Sequence, residues 1–63
     1  MYDKTLTNHR GDDINVDADR GRGTVFITIK EDEAPEGALI SLNEQEFNRL
    51  RYMLTEAYCS MEW

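Results

Sequence analysis

The segment that most constrains this chain is Thr24–Lys30, Thr-Val-Phe-Ile-Thr-Ile-Lys. It is dense in β-branched and aromatic residues. Val25, Ile27 and Ile29 fall on one side, and Phe26, Thr28 and Lys30 on the other. That is the period of a half-buried strand, and no helix accommodates it. Residues 13–18 alternate in the same way, with Ile14, Val16 and Ala18 against Asp13, Asn15 and Asp17. Arg20-Gly21-Arg22-Gly23 lies between them, a turn whose glycines tolerate positive φ. The two apolar faces coincide when Val16 stands opposite Ile27 and Ile14 opposite Ile29. This register leaves a four-residue Arg-Gly-Arg-Gly loop and sets Asp13 opposite Lys30. A tighter register with a two-residue Arg-Gly loop loses that opposite-charge pair, so the first is preferred.

The next strand is expected over 38–42, with Ala38, Ile40 and Leu42 on one face. Ala34-Pro35-Glu36-Gly37 before it reads as a type I turn, with Pro second and Gly fourth. A helix then starts sharply. Asn43 suits the N-cap, Glu46 completes a capping box, and Leu42 and Phe47 are placed for a hydrophobic staple. The helix is expected over 44–59. Phe47, Leu50, Leu54, Ala57, Tyr58 and Met61 fall within one sector at about 100° per residue, and form the stripe meant for the sheet. Residues 1–11 alternate weakly at Tyr2, Lys4 and Leu6, and read either as an edge strand or as a loose arm. The expected fold is α+β. A three- or four-stranded antiparallel sheet carries one C-terminal amphipathic helix on one face, in a single small domain over 1–63.

Charge narrows the function classes. Lys and Arg number 7, Asp and Glu 13, and the net charge is −6. Residues 1–30 are balanced, so the whole excess lies in 31–63. Sequence-blind nucleic-acid coating, which needs a net basic face, is disfavoured. In 63 residues a deep pocket enclosed by one protomer is not expected. The single cysteine, Cys59, leaves no internal disulfide, and one His with one Cys is too few for a zinc site. No apolar run approaches the roughly 20 residues of a membrane span, and the N-terminus lacks a signal-peptide core. A cytoplasmic protein is expected, without metal or cofactor.

Two apolar sets lie outside the predicted core. Phe26 and Leu39 stand on the outer sheet face. Tyr52, Cys59 and Trp63 follow one another along the back of the helix, with Glu56 between them and Met53 alongside. A one-sided sheet of this size is marginal alone. A homodimer joined through the outer sheet face or the helix back is therefore expected.

The candidate contact residues form two groups. The acidic run Glu31, Asp32, Glu33 and Glu36, extended by Glu44 and Glu46, suits the basic groove of a nucleic-acid-handling protein. The helix stripe Tyr52, Glu56 and Trp63 is the other group. The Arg20, Gly21, Arg22 and Gly23 tip offers a different chemistry. Two guanidiniums and backbone N–H groups fork onto the phosphates of a nucleotide or oligonucleotide, although turn geometry alone also demands these glycines. Asp12, Asp13, Asp17 and Asp19 do not follow calcium-loop spacing, and read as a solvated strand face. His9 and Cys59 have no readable catalytic partner, and Arg10-Gly11-Asp12 carries little information.

These features point to a non-catalytic binding protein, an inhibitor or regulatory adaptor that occupies a site on a target macromolecule with a basic surface. A nucleotide-sequestering module built on the Arg-Gly tips of a homodimer is the alternative. In size and element order alone, the chain is similar to small single-strand-binding and phage-encoded inhibitor proteins, which implies a host cytoplasm as the place of action.

Overall fold

A computed structural model describes residues 2–63. Four strands precede one helix: β1 Tyr2–Thr7, β2 Asp13–Asp19, β3 Thr24–Glu31, β4 Ala34–Leu42 and α1 Glu44–Ser60. The strands form one antiparallel sheet in the order β1-β2-β3-β4, an up-and-down meander. The fold is the α+β architecture expected from the alternation. Residues 2–7 are a paired edge strand rather than a loose arm.

The central hairpin has the register in which Val16 faces Ile27 and Ile14 faces Ile29. Asp13 stands opposite Lys30. The carboxylate of Asp13 instead accepts a 2.7 Å hydrogen bond from the Thr7 hydroxyl on β1. Apolar matching on the inner face excludes one-residue slips and is kept equally by the tighter register with a two-residue loop. A one-residue slip would turn every inner side chain outward.

Pairing across all four strands builds the inner face in three rows. Tyr2, Ala18, Val25 and Leu42 form the row nearest the helix start. Lys4, Val16, Ile27 and Ile40 form the middle, and Leu6, Ile14, Ile29 and Ala38 the far row. The outer face carries Asp17, Phe26 and Ser41 side by side, with Asn15, Thr28 and Leu39 in the next row.

The third connection departs from expectation. The turn is Asp32-Glu33, closed by the Glu31–Ala34 pair, and residues 34–37 belong to β4. Between the Ile29–Ala38 and Glu31–Ala34 pairs, residues 35–37 stand against Lys30 alone. The Pro-Glu-Gly turn signal is absorbed as a bulge, with Gly37 at φ 68°. A bulge and a turn draw on the same residue types, so composition does not separate them.

The helix begins as its sequence demands. The Asn43 side chain accepts from the Glu46 N–H at 2.8 Å, and the Glu46 carboxylate accepts from the Asn43 N–H at 2.9 Å. Two N–H groups that lack helical partners are thereby satisfied. Packing follows only part of the stripe. Phe47 and Leu50 are half-buried, while Leu54, Ala57, Tyr58 and Met61 are exposed. The helix backbone approaches β3 and β4, and neither β1 nor β2. It docks on one end of the sheet by its first two turns and then leaves the inner face uncovered. Among the described residues none is fully buried.

Candidate functional site: an acidic end built from two turns

In a meander the first and third turns lie at the same end of the sheet. Here they are Asn8–Asp12 and Asp32-Glu33, and specific bonds hold them together. The Asn8 carboxamide oxygen accepts from the N–H groups of Arg10 at 2.8 Å and Asp12 at 3.0 Å. This Asx-type closure fixes the first turn. Asp12 then reaches across. One carboxylate oxygen accepts from the Asp32 N–H at 3.1 Å, and the other from the Asn8 Nδ2 at 3.1 Å. The Asp32 N–H bond holds the Asp12 carboxyl below its ordinary value of 3.8. The Asn8 bond acts in the same direction, as do the nearby Arg10 and His9 more weakly, against an opposing effect of desolvation.

The two turns rim an open concavity of about 600 Å³. The acidic residues Asp12, Asp13, Glu31, Asp32 and Glu33 line it, together with the apolar Leu6, Ile14 and Ile29. Arg10 also lines it, but its guanidinium Nε lies 3.6 Å from the Asp12 carboxylate. Arg10-Gly11-Asp12 is thus closed on itself by its own ion pair. The acidic run read from the sequence is present here. Asp12 and Asp13, read as part of a solvated strand face, join it. The signal that finds them is the strand count: once residues 2–7 are a strand, the two turns must share an end.

The other candidates lie elsewhere. Glu36 is exposed within the β4 bulge. Glu44 sits at the opposite end of the sheet, in a recess it shares with Phe47, Tyr2, Arg20 and Gly23. It does not extend the acidic end. The Glu46 carboxylate is engaged in the helix cap. Tyr52 and Glu56 are exposed on the helix. Trp63 does not continue their stripe, because the helix ends at Ser60 and Met61 is extended. The Trp63 indole N–H donates to the Tyr58 carbonyl at 3.1 Å, with ring centroids 5.8 Å apart. The terminus thus folds back beside a residue of the opposite stripe.

The Arg-Gly tip is occupied from within. The Asp19 carboxylate accepts from the N–H groups of Gly21 at 3.0 Å and Arg22 at 3.2 Å, and its other oxygen lies 3.6 Å from the Arg22 Nε. An external phosphate would have to displace this carboxylate. Only Gly23 of the two tip glycines has positive φ. His9 lies in the first turn and Cys59 is exposed on the helix. Among the described residues no three His, Cys, Asp or Glu side chains are grouped to hold a metal ion, and no helix is long and apolar enough to cross a membrane.

No protein-family profile, curated protein or solved structure matches this chain.

Proposed function

We propose that this protein is a small non-catalytic binding protein, an inhibitor or regulatory adaptor that occupies a basic site on a nucleic-acid-handling protein in the cytoplasm. The observation that carries this reading is the convergence of Asp12, Asp13, Glu31, Asp32 and Glu33 around one concavity. Their turns are tied by the Asp12–Asp32 bond, so the two turn backbones that carry them meet a partner already arranged. Preorganised charge lowers the ordering cost of binding and steers encounter with an oppositely charged surface. The Arg20–Gly23 tip has no comparable support, because Asp19 holds the N–H groups an anion would use.

The test is affinity capture by the full chain from a nucleic-acid-binding protein fraction, followed by titration of the captured protein. Duplex DNA or RNA should compete with the chain for it. The variant Glu31→Gln/Asp32→Asn/Glu33→Gln should bind about tenfold or more weakly at low salt, with a shallower salt dependence. Unchanged affinity, or capture indifferent to nucleic acid, refutes the reading.

A further inference from the structure

The chain exposes far more surface than a folded protein of its mass. Its accessible area is 5805 Å² for 7.3 kDa. A compact monomer of this mass exposes about 4,200 Å², so roughly 1,600 Å² per chain is in excess. The radius of gyration, 13.1 Å, likewise exceeds the roughly 11 Å of a compact chain of this length. Part of the excess is surface of the kind that forms a core. Ile14 and Ile29 in the far row of the inner face are 41% and 44% exposed. On the helix, Leu54 is 62% exposed and Tyr58 67%. These are the two halves of a helix-on-sheet core, and within one chain they do not meet.

We infer that a second copy of this chain completes the core, the distal helix stripe of each protomer lying on the inner sheet face of the other. The two surfaces are complementary in kind, and both are carried by every copy. A two-fold axis therefore satisfies both at once, as in an isologous interface. The dimensions agree. From Leu54 to Tyr58 the stripe runs about 6 Å along the helix. The middle and far rows of the sheet are about 7 Å apart along the strands, and four strands span about 14 Å. The excess area also agrees. Removing roughly 1,600 Å² from each chain gives an interface in the range of obligate homodimers. The inner face and the helix front take this role, in place of the outer sheet face or the helix back. Ile14 and Ile29 also line the acidic concavity, so the second copy would cover its apolar floor, while Glu31, Asp32 and Glu33 lie in the turn region at its rim.

Sedimentation and isotope-filtered NMR on the full chain test this. Sedimentation equilibrium should give twice the 7.3 kDa chain mass, and Tm should rise with protein concentration. In a sample mixing 13C-labelled and unlabelled chains, Leu54 and Met61 methyls should show intermolecular NOEs to Ile14 and Ile29. Leu54→Glu should shift the mass to that of one chain, whereas Leu39→Ser on the outer sheet face should leave it doubled. Should Leu54→Glu unfold as well as dissociate, the NOEs of the unmodified chain still decide. A single-chain mass at roughly 100 µM, where obligate dimers remain associated, overturns the inference. So do helix-to-sheet NOEs found only within one chain, and intermolecular NOEs confined to Phe26 and Leu39 or to Tyr52 and Cys59.

Discussion

The Asp12 carboxylate accepts a 3.1 Å hydrogen bond from the backbone N–H of Asp32, joining turns 20 residues apart. This bond makes the acidic end one unit. The strands alone would leave two neighbouring loops.

The bond has a pH signature. Asp12 titrates below its ordinary 3.8 in the folded chain, chiefly because the Asp32 N–H favours the charged form. A carboxyl depressed on folding adds stability above its unfolded value and loses that contribution as pH falls through the folded value. The tie should therefore hold throughout neutral and mildly acid solution, and weaken only below about pH 4. The Asp12 carboxyl carbon resonance should show a titration midpoint below 3.8. A midpoint at or above that value contradicts the assignment, and Asp12→Asn should abolish the titration.

Two glycines separate conformational strain from steric collision. Gly23 has φ 60° with nothing within 4 Å of an added Cβ. Gly37 has φ 68°, and an added Cβ would lie 2.8 Å from the Ile29 carbonyl oxygen. Gly23→Ala should cost about 1 kcal/mol, the left-handed penalty alone. Gly37→Ala should cost at least about 1 kcal/mol more, because backbone must move. Urea denaturation of both variants checks the ranking, and equal losses would argue against the bulge.

The helix cap is expected to matter beyond its usual weight. Asn43→Ala should remove about 1 kcal/mol. Since only the first two turns rest on the sheet of the same chain, fraying there should loosen the attachment of the whole helix. Far-UV circular dichroism should show lower helicity in Asn43→Ala, and Glu46→Gln, which keeps an acceptor, should retain most of it.

Lys30 offers a test of what sets register. It stands opposite Asp13, yet the Asp13 carboxylate is held by Thr7. Lys30→Ala should therefore change stability by less than about 0.5 kcal/mol and leave the Val16–Ile27 pairing intact. Cross-strand NOEs between those residues would report any slip.

Much of this fold is legible in the sequence. Alternation in 13–18 and 24–30 placed the two strands of the central hairpin and their apolar face, because a sheet has a period of two and one face must be apolar; the choice between the two registers that keep those faces together rests on setting Asp13 opposite Lys30. Asn43 and Glu46 placed the helix start, because capping is a local exchange of hydrogen bonds. The turn expected over Ala34–Gly37 is instead part of β4, because a turn and a bulge call for the same Pro and Gly. The acidic end was half-read. Glu31, Asp32 and Glu33 were visible as a run, but Asp12 and Asp13 join them only once β1 pairs with β2.

The sequence by itself determined the two strands of the central hairpin, the helix start and the two apolar surfaces, since each follows from local periodicity and nearest-neighbour chemistry. Only the tertiary structure decided that Leu54 and Tyr58 do not lie over Ile14 and Ile29 of their own chain. An amphipathic stripe records that a helix must be covered, not by which sheet. That choice depends on the direction in which the chain leaves Leu42 and Asn43, a property of the assembled sheet and the helix docked at its end.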